Sequence, residues 1–110
     1  GFFEPATAAL HKRLLKTGMV YVDVGANAGA FTLLASKLVG DQGKVIAIEP
    51  NPVVFSRLLQ NLTLNPDYRN VQLFLCACSS AEGFAFLKMF GVQQPLCFRL
   101  LSRQLLMHLC

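Results

Sequence analysis

Two acidic residues in this chain each end an apolar run and begin a turn. Asp23 ends one run and precedes the turn Gly-Ala-Asn-Ala-Gly, from Gly25 to Gly29; Glu49 ends the next run, twenty residues after Gly29. In a strand–helix–strand unit, this spacing predicts that Glu49 lies at the tip of the neighbouring strand, facing the glycine turn. A carboxylate there can accept both hydroxyls of a ribose, and the glycines allow a ligand to approach the backbone closely.

The composition of the turn narrows the choice of nucleotide. A dinucleotide-binding G-x-G-x-x-G pattern read from Gly25 fails at Asn27 and Ala30, and no glycine-framed loop ends in Gly-Lys-Ser or Gly-Lys-Thr. Residues 17–36 contain no Lys or Arg to meet a pyrophosphate. S-adenosylmethionine carries a ribose, an ammonium group and a sulfonium but no phosphate. The charge pattern therefore favours it over NAD or ATP, with Asp23 on the ammonium side.

A purely structural interpretation of the two carboxylates stays open. In that interpretation Asp23 caps the helix that follows it, and Glu49 is an exposed strand end. Because Glu49 occupies a strand end, its replacement by alanine is expected to weaken cofactor binding and to leave the fold intact.

The elements that position these residues follow from hydrophobic periodicity and from the placement of Gly and Pro. The predicted helices cover residues 5–16, 30–39 and about 50–64, and the predicted strands cover 19–24, 44–49, 70–78 and 84–89. Strands separated by helices pair in parallel through right-handed crossovers. The predicted fold class is therefore α/β, with a Rossmann-like doubly wound parallel sheet of which the first three βα units are present.

Two segments resemble the FkbM family of class I S-adenosylmethionine-dependent methyltransferases. They are 18–35 (GMVYVDVGANAGAFTLLA) and 43–52 (GKVIAIEPNP). The most specific parts are Asp-Val-Gly-Ala-Asn, beginning at Asp23, and Glu-Pro-Asn-Pro, beginning at Glu49, and the resemblance covers about residues 1–88. It implies an incomplete class I methyltransferase sheet and O-methylation of a hydroxyl on a sugar, a polyketide or a similar small molecule.

The resemblance also implies which residues line the cofactor site. The candidate cofactor-binding residues are Asp23, Gly25, Ala26, Asn27, Gly29, Glu49, Pro50 and Asn51. Glu4 is a weaker candidate near the methionine end, and no catalytic base is identified. The expected cofactor is S-adenosylmethionine, and the expected partner is a small-molecule hydroxyl acceptor.

The last part of the chain departs from this resemblance. Residues 1–90 are interpreted as the cofactor-binding half of a methyltransferase domain, and 91–110 as an atypical tail, non-native or an alternative C-terminus, with leucines at helical spacing from Leu101. The chain begins with Gly1 and not with Met, so a fragment or a processed product is expected. The alternative to an active enzyme is a truncated, non-catalytic module that binds adenosyl ligands. An unpaired sheet edge predicts self-association, and the missing fourth main strand, which would form part of the site wall, predicts no turnover.

Charge and cysteine usage bear on partners and compartment. The formal charge of +4 lies mostly in the last 28 residues, since residues 1–82 hold seven Lys and Arg against six acidic residues. No basic run is present, which predicts no nucleic-acid partner, and no apolar stretch is long enough for a transmembrane segment. Cys76 and Cys78 are predicted to face one side of a single strand as free thiols in the cytoplasm rather than as zinc ligands. His11 is predicted to lie at the surface.

Overall fold

The computed structural model describes residues 4–80, 83–87 and 96–102. The helices are α1 (Pro5–Leu14), α2 (Ala30–Val39) and α3 (Pro52–Thr63). The strands are β1 (Val20–Val24), β2 (Lys44–Ile48), β3 (Val71–Phe74), β4 (Ala77–Ser79), β5 (Gly83–Leu87) and β6 (Leu96–Ser102). Among the residues described, no helix combines the length and the apolar character needed to span a membrane.

The main sheet has three parallel strands in the order β1-β2-β3. Val22 pairs with Ile46, which pairs with Gln72 on the other side. Parallel pairing follows from the helical crossovers, because each strand must return to the same edge before it enters the sheet. The carboxyl ends of β1 and β2 therefore lie side by side, and the predicted α/β class is confirmed in its incomplete form.

Strand β2 forms the centre of the core. Residues 45–48 are fully buried, as expected of a parallel strand that is covered on both faces. On one face, Val45 packs with Ala35 and Val39 of α2, and Ala47 packs with Leu58 of α3. Both crossover helices therefore cover the same face of the sheet.

The other face of β2 carries a second apolar cluster. Ile46, Ile48 and Cys76 are buried together, and Val22 and Phe74 pack against them. The central strand is thus fixed from both sides, which holds the turn after Ile48 in place relative to the turn after β1.

The predicted third strand, 70–78, is divided in the structure. Strand β3 ends at Phe74, where the Glu49 amide donates the last ladder hydrogen bond to the Phe74 carbonyl (3.1 Å). The next residue of this segment whose amide would face β3 is Asn51, and that amide donates to the Glu49 carboxylate instead of continuing the ladder. The chain leaves the sheet and restarts as β4. The prediction that Cys76 and Cys78 face one side is therefore wrong: Cys76 is buried and Cys78 is exposed.

A second three-stranded sheet follows in the order β4-β6-β5, with β6 parallel to β4 and antiparallel to β5. Of the leucines read at helical spacing, Leu101 lies in strand β6 and pairs with Cys78, and those that follow it lie outside the residues described. The segment 96–102 (LCFRLLS) is mostly apolar, and strand pairing on both sides satisfies its backbone. The predicted strand 84–89 is found as β5, although its last two residues lie outside those described.

Helix α1 also differs from the prediction. It ends at Leu14 rather than near residue 16, and Leu10 and Leu14 are exposed, while Ala8 is the buried residue. The prediction of a surface position for His11 is wrong, because the side chain is half-buried against β1 and α2. Hydrogen-bond partners and an aromatic neighbour favour burial of the helix face that carries His11 over the face that carries Leu10 and Leu14.

Candidate functional site

Glu49 joins the two turns at the carboxyl edge of the main sheet. Its Oε1 accepts a hydrogen bond from the Asn27 amide (3.0 Å), and its Oε2 accepts one from the Asn51 amide (2.9 Å). The side chain is only 7% exposed. The alternative interpretation of an exposed strand end is therefore wrong. The burial of Glu49 argues against the expectation that its replacement leaves the fold intact. A buried carboxylate that satisfies two amides has a structural role as well as any binding role.

The turn after β1 uses its own amides to hold its shape. The amides of Gly25 and Ala26 both donate to the Ile48 carbonyl, at 2.8 and 3.0 Å, and the Gly29 amide donates to the Ala26 carbonyl at 3.1 Å. Asn27 has a positive φ of 55°, a conformation that Asn tolerates better than most residues. Its amide is thereby directed at Glu49. Ala26 is buried beneath the turn, and Asn27 is exposed.

Asp23 lies beside this turn, at the end of β1. Its Oδ2 accepts a hydrogen bond of 2.6 Å from the hydroxyl of Thr32, a fully buried residue of α2. Burial raises the pKa of Asp23, and the Thr32 hydrogen bond and the nearby His11 oppose that shift, while Glu49 adds to it. The alternative in which Asp23 caps α2 is not what the structure shows, because the helix begins after Gly29 without a side-chain cap.

Helix α3 fixes the far end of the same turn. The Asn61 side-chain amide donates to the Ala28 carbonyl (2.6 Å). Gly29 has a φ of 99°, and a Cβ on it would lie 2.5 Å from the Leu58 side chain. Glycine is therefore required here by its backbone conformation and by the packing of α3. Sequence reasoning missed Thr32, Leu58 and Asn61, because nothing in their local pattern indicates contact with a turn far away in the chain.

The turn after β2 is held by its own side chains. The Asn51 Oδ1 accepts hydrogen bonds from the amides of Val53 (3.0 Å) and Val54 (3.3 Å), so Asn51 is the N-cap of α3. Pro50 is half-buried between Glu49 and Asn51. Asn51 is thus placed by capping, and its backbone amide is directed at Glu49.

Glu4 lies at the exposed N-cap position of α1, and its Oε2 accepts a hydrogen bond from the Thr7 hydroxyl (2.8 Å). The structure does not connect Glu4 to either turn through a hydrogen bond. In the part of the chain that is described, no group of three His, Cys, Asp or Glu side chains has the arrangement of a metal site.

The three-strand core and its helices have the fold of S-adenosylmethionine-dependent methyltransferases. An S-adenosylmethionine-dependent O-methyltransferase from Thermotoga maritima superposes with a TM-score of 0.60 and 25% identity, over 67% of this chain and 29% of that one. The predicted fold class is confirmed by this likeness. The predicted enzyme class and cofactor agree with it.

The sequence comparisons then place the chain in a family. The model of the family described as Vibrio cholerae RfbT protein matches residues 10–101. The chain belongs to that family. The match extends into the segment predicted as an atypical tail. The class of methyltransferase is supported by the relatives and by the solved structures, and the FkbM assignment remains a prediction.

Curated relatives match a shorter stretch. The methyltransferase sdnD of Sordaria araneosa is 40% identical over 62 residues, 56% of this chain and 24% of that protein. The ribosomal RNA large subunit methyltransferase E of Acinetobacter baylyi is 40% identical over 63 residues, 56% of this chain and 28% of that protein. The chain therefore spans roughly a quarter of the length of these relatives.

The prediction of no nucleic-acid partner is wrong as an exclusion. It rested on the low net charge of residues 1–82, yet the Acinetobacter relative, which matches this chain at 40% identity, is a ribosomal RNA methyltransferase. The matched stretch is about a quarter of that protein, so the charge of this stretch does not determine the acceptor.

Proposed function

We propose that this chain binds S-adenosylmethionine and forms the cofactor-binding part of a methyltransferase that acts on a hydroxyl oxygen. The observation that carries the proposal is the buried Glu49 carboxylate, which is fixed by one amide from each turn at the carboxyl edge of parallel strands. Ligands of open α/β sheets bind at this edge. The proposed cofactor-binding residues are the set predicted from the sequence.

The geometry of Glu49 is compatible with a ribose. Each carboxylate oxygen has two acceptor positions, and each oxygen accepts one backbone amide. One acceptor position on each oxygen is therefore left for a hydroxyl. Two adjacent ribose hydroxyls match two carboxylate oxygens that the protein already holds in place.

The same turn is poorly suited to a phosphate. Phosphate-binding loops direct their backbone amides at the ligand. Here the amides of Gly25, Ala26 and Asn27 are donated to Ile48 and Glu49. With two carboxylates at this edge and no Lys or Arg in residues 17–36, the electrostatics favour a ligand whose second recognition group is a cation.

Asp23 is the proposed partner of that cation. It accepts one hydrogen bond, from Thr32, which leaves acceptor capacity on the carboxylate. S-adenosylmethionine would supply an electrophilic methyl group on a positively charged sulfur. The chain would contribute binding and alignment, because among residues 4–80 we assign no general base.

Three similarities to known proteins support a hydroxyl group as the methyl acceptor. The resemblance to FkbM methyltransferases supports an oxygen acceptor, as does the similarity to the O-methyltransferase structure. The ribosomal RNA methyltransferase relative supports RNA as a source of that hydroxyl alongside a sugar or another small molecule. As part of the same proposal, residues 1–90 are the cofactor-binding half, to which residues 96–102 of the last part of the chain add strand β6 by pairing with β4 and β5.

Calorimetric titration tests the cofactor. We expect S-adenosylhomocysteine to bind the 110-residue chain, and NADH and ATP to bind at least tenfold more weakly. Replacing Glu49 by Gln should weaken binding of S-adenosylhomocysteine by roughly 1.5–3 kcal/mol. Replacing Asp41, an exposed acid in the loop before β2, by Asn is the control and should leave binding unchanged. Tighter binding of NADH would contradict the proposal.

A labelled-methyl assay separates the enzyme from the non-catalytic alternative. Separate reactions with sugar alcohols, polyketide alcohols or ribosomal RNA as the acceptor show which kind of molecule supplies the hydroxyl. Because the described residues include no assigned base, we expect the 110 residues alone to bind the cofactor without transferring label. Transfer in any of these reactions would show that this chain carries a complete site and would identify the acceptor.

A further inference from the structure

His11 connects three elements beneath the proposed cofactor site. Its Nδ1 lies 2.7 Å from the carbonyl oxygen of Thr7, one turn earlier on α1, and its Nε2 lies 2.7 Å from the hydroxyl of Tyr21 on β1. Its ring stacks on Phe31 of α2, with centroids 4.9 Å apart and planes inclined by 17°. Both ring nitrogens and one ring face are therefore engaged.

These partners determine the protonation pattern of the ring. A carbonyl oxygen only accepts, so the Nδ1 of His11 must donate to Thr7. In the neutral ring Nε2 is then the acceptor, and the Tyr21 hydroxyl donates to it. When the ring gains a proton, Nε2 becomes a donor, and the Tyr21 hydroxyl must turn its hydrogen elsewhere. The hydrogen-bond direction between α1 and β1 therefore depends on the charge of His11.

The same contacts lead to Asp23. Tyr21 and Asp23 lie two residues apart on β1, so they share one face of the strand. Phe31 directly precedes Thr32, which donates to the Asp23 carboxylate. His11 thus contacts one residue on each element that positions Asp23: Tyr21, two residues before it on β1, and Phe31, the residue before Thr32 on α2. Burial, and then the charge of Asp23, raises the pKa of Tyr21, which favours the protonated hydroxyl that this network requires.

The charges that face Asp23 come from each surrounding element. His11 is on α1, Tyr21 is on β1 itself, and Glu49 is at the end of β2; Thr32 on α2 is neutral. Within the part of the chain that the structure describes, His11 is the basic group of this set, and histidine is the side chain type that serves as a charge switch near neutral pH. A proton on His11 would place a cation beside the carboxylate proposed to hold the cationic group of the ligand.

We propose that His11 is a positioning residue for the cofactor site: its neutral ring fixes Tyr21 and Phe31 around Asp23, and its protonation weakens the binding of a ligand that carries an ammonium group. This inference rests on the proposed function. The inference adds a role for helix α1, which precedes both turns. It also makes ligand affinity depend on pH through His11, a residue that does not touch the ligand.

The test compares two ligands at two pH values. S-adenosylhomocysteine carries the ammonium group, whereas 5′-methylthioadenosine has the same nucleoside without it. Between pH 7.5 and 5.5, we expect the affinity for S-adenosylhomocysteine to fall about tenfold, and that for 5′-methylthioadenosine to stay nearly constant. His11→Gln should remove most of the fall. Lys12→Gln, which removes an exposed charge from the next residue of α1, should retain it.

The outcomes separate this inference from the proposed function. If neither ligand binds, the proposed function fails, and this inference fails with it. If both ligands bind and folded His11→Gln keeps the full pH dependence, only the role of His11 is overturned. Should His11→Gln not fold, Tyr21→Phe keeps the ring and removes the hydroxyl. Tyr21→Phe should weaken the binding of S-adenosylhomocysteine about threefold at pH 7.5. Unchanged affinity would overturn the positioning role of His11.

Discussion

The turns after β1 and β2 lie side by side, yet they are held in opposite ways. The turn that contains Gly25 and Gly29 is shaped from outside, by the Ile48 carbonyl of β2 and by Leu58 and Asn61 of α3. The turn after β2 is shaped from within, since its own Asn51 caps α3 and its own Glu49 accepts an amide from each turn.

The difference shows which of the two turns holds the proposed site in its conformation. The second turn is fixed by local hydrogen bonds and then fixes the first turn through Glu49. The first turn contributes Asp23, whose carboxylate accepts one side-chain hydrogen bond and is the less satisfied of the two acidic groups. Glu49 therefore combines a structural role with its proposed binding role, whereas Asp23 keeps acceptor capacity for the proposed ligand at a cost to stability.

The largest expected effect comes from removing the link between the turns. Glu49→Ala leaves two amides, those of Asn27 and Asn51, without their acceptor, and should lower the free energy of unfolding by about 2–4 kcal/mol. Glu49→Gln keeps one acceptor oxygen and should cost about half as much. Urea unfolding followed by circular dichroism measures both. If Glu49→Ala retained wild-type stability, Glu49 would not be the link between the turns.

The two glycines of the first turn provide a matched pair. Gly29→Ala forces a Cβ against Leu58 at a φ of 99° and should destabilise the chain by about 2–4 kcal/mol. Gly25→Ala, at a φ of 71° with no atom within 4 Å of its Cβ, should cost only about 1–2 kcal/mol. Thermal unfolding compares them. Equal losses would show that α3 does not shape the turn.

Asp23→Asn should have the smallest effect on stability, and of opposite sign. Because burial raises the pKa of Asp23 above its ordinary 3.8, the folded chain holds this proton more tightly than the unfolded chain. Stability from this group is therefore present below pH 3.8 and is lost as the pH rises through the raised pKa. At pH 7 the neutral Asn should slightly raise the unfolding temperature.

The same Asp23→Asn variant should weaken S-adenosylhomocysteine binding about tenfold or more, since a charge-assisted contact is removed. Opposite changes in stability and affinity would separate Asp23 from Glu49, for which both should fall. A loss of stability with unchanged affinity would assign Asp23 a purely structural role.

Features that depend on neighbouring residues in the sequence could be predicted, whereas features that depend on contacts between distant segments could not. The β2 strand and the start of α3 were predictable because 45–48 are continuously apolar and Asn51 with Pro52 is a helix start. The break after Phe74 was missed because it depends on the Asn51 amide of a neighbouring segment, which donates to Glu49 instead of to the strand. The role of His11 was missed because it requires Tyr21 and Phe31, which come together only when α1, β1 and α2 pack.

In the candidate site, too, features set by sequence spacing could be predicted and features set by distant contacts could not. The spacing from Gly29 to Glu49 indicated that two carboxylates would meet at one sheet edge, and the structure connects Glu49 to Asn27 there. The burial of Glu49 was not predictable, because it depends on amides from both turns. The hydroxyl that holds Asp23 comes from Thr32, a residue whose position within an apolar helix gives no sign of that role.

A crystal structure of the chain with S-adenosylhomocysteine tests the central claim most directly. The account predicts both ribose hydroxyls at about 2.5–3.0 Å from the two Glu49 oxygens, with the hydrogen bonds from the Asn27 and Asn51 amides retained. It also predicts the ligand ammonium group on the Asp23 side of the turn. A ribose bound away from Glu49, or a Glu49 side chain that releases both amides on binding, would contradict the account.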